Sequence, residues 1–106
     1  MRSFLLIESR SGLESPDVGA FFNLATSLLD AGHQVTLFLL QNAVLGLTED
    51  VQLAGTMAKG AQTWVDRYSL EARGIDATRL AQGIKVGGPR QLVRMLMTPG
   101  VVPVWH

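Results

Sequence analysis

The chain has no cysteine among its 106 residues. That absence excludes disulfides, thiolate zinc sites and any thiol nucleophile. Nor is there an excess of either charge: nine Lys and Arg balance nine Asp and Glu. Without a basic footprint to displace counterions from a phosphate backbone, no nucleic acid is expected as a partner. No apolar run approaches the roughly 20 residues that span a bilayer, so no membrane partner is expected. Met1 to Ile7 is too short an apolar stretch for a secretory signal, and a cytoplasmic location is the default expectation. What is present is apolar: hydrophobic residues make up 47% and the mean hydropathy is +0.23, which argues against disorder. Residues 1–106 read as a single domain able to bury roughly two thirds of its unfolded surface. Zero net charge on an apolar-rich surface favours self-association.

Phe4 to Ile7 is a continuous apolar run, the pattern of a strand covered on both faces, and it ends in the polar loop Glu8 to Ser15. Ser15 is placed to cap a helix that begins at Pro16 and carries Val18, Phe21, Phe22, Ala25, Leu28 and Leu29 at helical spacing up to Gly32. Val35 to Leu40 reads as a second strand, returning after a connection short enough to imply a parallel pair. Thr48 is expected to cap a second helix with Val51, Ala54, Met57 and Ala58 inside, followed by a third strand from Ala61 to Val65. Ser69 to Arg73 reads as a helical turn closed by Gly74, and Asp76 to Ala81 as another short piece before the glycine-broken region around Gly83, Gly87 and Gly88. Pro89 opens a last helix with Leu92, Val93, Leu96 and Met97 on one face. Val101 to Trp105 closes as a strand that Pro103, lacking an amide donor, assigns to a sheet edge. The alternation predicts an α/β flavodoxin-like three-layer sandwich around a mostly parallel sheet of about five strands.

Ligands of such sheets gather beyond the carboxyl ends of the strands, where strand order reverses. With the order 2-1-3-4-5, that point falls between the first and third strands, so Ser9, Arg10 and Ser11 face Asp66, Arg67 and Ser69, with Gln41 and Asn42 beside them. The loop ESRSGLESPD has neither a Walker pattern nor a dinucleotide-binding glycine triplet, so no nucleotide or other cofactor is expected; a small anionic ligand is compatible. Asp66 has two readings, as the cap of the Ser69 turn or ion-pair partner of Arg73, and as a base or ligand anchor. Glu8 or Glu14 would have to approach Asp66 to form an acid/base pair. His33 lies at the opposite end of the sheet and His106 is the last residue; neither is expected to be catalytic, and no metal-ligand spacing is present. The loop QNAVLGL is expected to expose Val44, Leu45 and Leu47, either beneath neighbouring loops or at a subunit contact.

Ala31 to Leu40 (AGHQVTLFLL), the loop AVLGL, Ser69 to Ile75 (SLEARGI) and Ile84 to Leu96 (IKVGGPRQLVRML) together resemble the DsrE/DsrF-like family of sulfur-relay-related proteins over nearly the whole chain. The resemblance implies a flavodoxin-like fold and assembly as dimers, trimers or hexamers, with itself or with related subunits. In that family some members carry persulfide on a cysteine at the end of the third strand. Here Asp66 or an immediate neighbour holds the corresponding place, and a carboxylate can neither attack as a sulfur nucleophile nor leave as one. The sequence therefore suggests a noncatalytic DsrE-like subunit or small-ligand-binding protein. The alternative is a small-molecule, hydrolase-like enzyme using Asp66.

Overall fold

Continuous apolar burial marks the two central strands: Leu5 to Ile7 and Leu37 to Leu39 are all buried. In the computed structural model, which describes residues 1–106, they belong to β1 (Ser3–Glu8) and β2 (Gln34–Leu39). With β3 (Gln62–Asp66), β4 (Ile84–Gly87) and β5 (Val101–Trp105) they form one five-stranded, all-parallel sheet. The helices are α1 (Asp17–Asp30), α2 (Val51–Ala58), α3 (Arg67–Ala72) and α4 (Pro89–Leu96), with short 3₁₀ turns at Gln41–Val44, Leu47–Glu49 and Ala77–Arg79. This is the expected flavodoxin-like three-layer arrangement.

Strand order departs from 2-1-3-4-5. It is β4-β3-β2-β1-β5: the chain steps the same way along the sheet three times, and then crosses back past β3, β2 and β1 to lay β5 beside β1. Right-handed crossovers in one direction put their helices on one face, and the reverse step puts its helix on the other. The packing agrees. Val18, Phe21 and Phe22 of α1, Leu53 of α2 and Leu70 of α3 share a core with Leu6, Leu37 and Val65. On the opposite face, Leu5, Ile7 and Phe38 are covered by Leu92 and Met95 of α4, together with Trp64 and Val101.

Local chemistry sets the element boundaries. Ser15 Oγ accepts from Asp17 N at 3.2 Å at the start of α1. At α2 the cap is Asp50, whose Oδ1 accepts from Leu53 N at 3.0 Å; Thr48 lies inside the preceding 3₁₀ turn, two residues too early to reach the helix's free amides. β4 arises from IKVG, a stretch read as part of the glycine-rich turn. Gly87 is required there: a Cβ would stand 3.1 Å from Trp64 and 3.1 Å from Gln91. β5 is an edge strand, as Pro103 implied, pairing with β1 in the register Leu5 to Pro103.

The last helix keeps Leu92 inward as its sequence pattern predicts, but is rotated so that Met95 joins it in place of Val93, Leu96 and Met97. Leu92 and Met95 point inward, whereas Val93 is 56%, Leu96 40% and Met97 77% exposed. Trp105 on β5 is 63% exposed. In the loop after β2, Val44 and Leu47 are buried in the main core and Leu45 alone is exposed, so most of that loop's apolar content is internal. No helix is long and apolar enough to cross a membrane.

Candidate functional site

Since β2 lies between β1 and β3, the ends of those two strands do not face each other. The direction of travel along the sheet reverses after β4, so the helices that follow the adjacent strands β3 and β4 leave to opposite faces; at the ends of β1 and β5 a group of side chains gathers that differs from the one expected. Glu8, last residue of β1, is 1% exposed. Its Oε2 accepts from Ser9 N at 2.9 Å and Arg10 N at 3.1 Å, with Arg10 Nε at 3.5 Å. Its Oε1 lies 2.8 Å from Nδ1 of His106, immediately after β5. The backbone amide of His106 also donates to Ile7 O at 2.9 Å, and its ring packs against Phe21 at 5.6 Å between centroids.

Nδ1 of His106 is also 3.2 Å from Arg10 Nη2. A guanidinium only donates and a carboxylate only accepts, so one ring nitrogen cannot satisfy both. The shorter contact assigns the proton to Nδ1, donating to Glu8, and leaves Nε2 with no hydrogen bond inside the protein. Arg10 is further engaged through Nη1, which lies 3.2 Å from Ser15 Oγ and 3.4 Å from Asp17 Oδ2. Two carboxylates already neutralise the guanidinium expected to receive an anion.

A second polar chain spans the ends of β2 and β3. Asp66 Oδ2 accepts from Ser69 N at 2.9 Å and from Ser69 Oγ at 2.6 Å, capping α3. Ser69 Oγ in turn accepts from Gln41 N at 2.7 Å, which holds Gln41 in a left-handed conformation at φ 51°. Arg73 makes no pair with Asp66. It donates to Asn42 Oδ1 through Nε at 3.1 Å and Nη2 at 2.8 Å, and to Ser69 O through Nη1 at 3.2 Å. Asn42 Nδ2 then donates to Glu14 Oε2 at 3.1 Å, and Ser11 N to Glu14 Oε1 at 2.8 Å. These bonds from Ser11 and Asn42, aided by the charges of Arg10 and Arg73, hold the Glu14 carboxyl below its ordinary range.

The structure thus joins Ser11, Asn42, Asp66 and Ser69 in one network through Gln41, Glu14 and Arg73, and places Ser9 and Arg10 with Glu8 and His106. Arg67 stands apart. It is exposed, makes no ion pair, and lines a cavity of about 470 Å³ beyond β3 and β4 with Tyr68, Gly87, Gly88 and Arg90. The Tyr68 phenol is exposed and has no hydrogen-bond partner. Glu8, Glu14 and Asp66 are engaged with separate partners, so no carboxylate pair forms. His106 was missed because its role depends on β5 returning beside β1. The one sequence signal was a polar residue at the carboxyl end of an edge strand. No group of acidic and histidine side chains is arranged to hold a metal ion.

Similarity to known proteins lies in the fold. No known protein family and no curated protein matches the chain. Among solved structures, the ychN protein from E. coli superposes with TM-score 0.78 at 18% identity, over 98% of this chain and 100% of the other. A protein of unknown function, MTH1491 from Methanobacterium thermoautotrophicum, gives 0.76 at 18% identity, over 99% of this chain and 98% of that one. BT1422 from Bacteroides thetaiotaomicron, also a conserved protein of unknown function, gives 0.74 at 15% identity, over 97% and 95%.

Proposed function

We propose that the chain is a noncatalytic DsrE-like subunit of a homo- or hetero-oligomer, associated with intracellular sulfur trafficking and contributing recognition in place of covalent sulfur transfer. One observation carries this reading: Val93, Leu96, Met97 and Trp105 are exposed apolar side chains on α4 and β5, and apolar side chains left uncovered together mark contact surfaces. The polar groups at the strand ends support it, since Arg10 is engaged by Glu8, Ser15 and Asp17 and Asp66 by Ser69, which leaves little directed at a substrate. Pro103 also favours side-chain packing over strand addition. The amide of His106 points to β1, so by alternation the backbone groups of residue 103 point to the open edge, and proline offers no donor there.

The test is mass measurement by native mass spectrometry and light scattering. The wild-type chain, alone or mixed with sulfur-relay subunits, is expected to assemble at micromolar concentration. The double variant Met97→Glu/Trp105→Glu is expected to remain folded by circular dichroism and run as a monomer. A persulfidated donor should leave no sulfane adduct on this chain. Exclusively monomeric wild-type protein in every mixture would remove the reading.

The cavity beside Arg67 favours a second reading, in which a small anionic molecule binds beyond β3 and β4 and Asp66 serves as base or anchor. Asp66→Asn retains a capping side chain, so it should leave stability nearly unchanged while abolishing binding or turnover. Calorimetric titration with inorganic phosphate and sulfate on wild-type protein and on Arg67→Gln checks the anion component. Equal heats from the two proteins would count against it.

A further inference from the structure

The balanced charge of the chain conceals a division. Residues 1–76 hold nine acidic and five basic residues, a net of −4, whereas residues 77–106 hold no acidic and four basic residues, a net of +4. The fold carries most of this division into two faces, with Arg79 of the later segment lying beside Asp76 in the α1–α3 layer. Exposed Glu14, Asp17, Glu49, Glu71 and Asp76 all lie on α1, α3 or the loops and turns of that layer. Lys85, Arg90 and Arg94 lie on β4 and α4 across the sheet, with Arg67 at the adjoining edge, and none of these four cations forms an ion pair.

Each face also carries uncovered apolar side chains. The basic side presents Val93, Leu96, Met97 and Trp105, and the acidic side Leu13, Leu45 and Val51. Resting on the oligomeric reading above, we infer that assembly is heterologous: the basic α4 face of one copy docks on the acidic helical face of another. A two-fold contact between identical α4 faces would set unpaired cations against each other, a juxtaposition that disfavours that arrangement. The opposite face of a second copy supplies both the missing counter-charge and the apolar cover. Repeated front-to-back contacts close into a ring when the rotation between copies permits, and otherwise extend.

Two charge-reversed variants test the geometry. Arg90→Glu/Arg94→Glu reverses the two cations of α4 itself, and Glu49→Lys/Glu71→Lys reverses two carboxylates of the opposite face. Each alone is expected to be monomeric by light scattering, while an equimolar mixture regains assembly, which also shows that both remain folded. Raising sodium chloride from about 0.05 M to about 1 M, where the screening length falls to about 3 Å, is expected to weaken wild-type assembly at least about tenfold. If Glu49→Lys/Glu71→Lys assembles as wild type does, or assembly ignores salt, the heterologous contact is wrong while the oligomeric reading stands. If the wild type is monomeric at both salt concentrations, the heterologous contact fails, and the oligomeric reading fails with it only when mixtures with sulfur-relay subunits are monomeric too. A wild-type monomer that binds a random-sequence DNA duplex, with binding lost in Arg90→Glu/Arg94→Glu, would instead assign the basic face to nucleic acid.

Discussion

Buried at the end of β1, Glu8 is held by two backbone amides, a guanidinium and an imidazole. Removing it in Glu8→Ala would leave Arg10 and His106 facing each other without their shared acceptor. A fully buried pair broken this way costs about 3–5 kcal/mol. Arg10 is 37% exposed, so water recovers part of that, and a loss of about 2 kcal/mol is expected by urea denaturation. Glu14 gives a pH signature instead. Hydrogen bonds from Ser11 and Asn42 lower its folded-state pKa, so its contribution is complete above the ordinary value of 4.5 and is lost as pH falls through the depressed one. Thermal melts from neutral pH into the acid range should therefore show Glu14→Gln losing less of its stability below about pH 4.5 than wild type.

Gly87 ties β4 to both α4 and Trp64. A Cβ there would meet the Trp64 ring and the first two side-chain carbons of Gln91, at 3.1 to 3.2 Å, so these neighbours must give by a few tenths of an ångström. Gly87→Ala is expected to cost about 1–2 kcal/mol, with a shift in tryptophan emission as Trp64 is displaced. How much could be read beforehand depended on burial. Strands β1 and β2, covered on both faces, appear in the sequence as unbroken apolar runs, and α1 as a clear helical stripe. β4 has four residues, one an exposed lysine and one a glycine, and no periodicity develops over that length. The pattern of α4 was visible but its inward side was not, because its apolar arc is broad, running from Met95 through Leu92 to Met97, and the sheet takes only Leu92 and Met95. The cap at Asp66 was among the expected alternatives. Strand order was not legible, because it is set by the path of the crossovers rather than by any one strand's composition, and the Glu8–His106 contact depends on it.

Across the molecule, all strand pairs but one join neighbours in sequence: β1 to β2, β2 to β3 and β3 to β4. The exception links β1 to β5, nearly a full chain length apart, along an edge strand that has one hydrogen-bonded neighbour. Hydrogen exchange followed by mass spectrometry should find the amides of Val102, Val104 and His106 released sub-globally, earlier than those of β1 and β2. If all three regions exchange together, the edge is part of one cooperative unit. The lopsided pairing also fixes an order of events for a chain emerging from a ribosome. Four strands and three helices can condense progressively, each on its predecessor, while the apolar flank of β1 waits uncovered for the last segment. The nascent protein is thus most adhesive just before β5 is added, with Glu8 lacking the imidazole that will finally cover it.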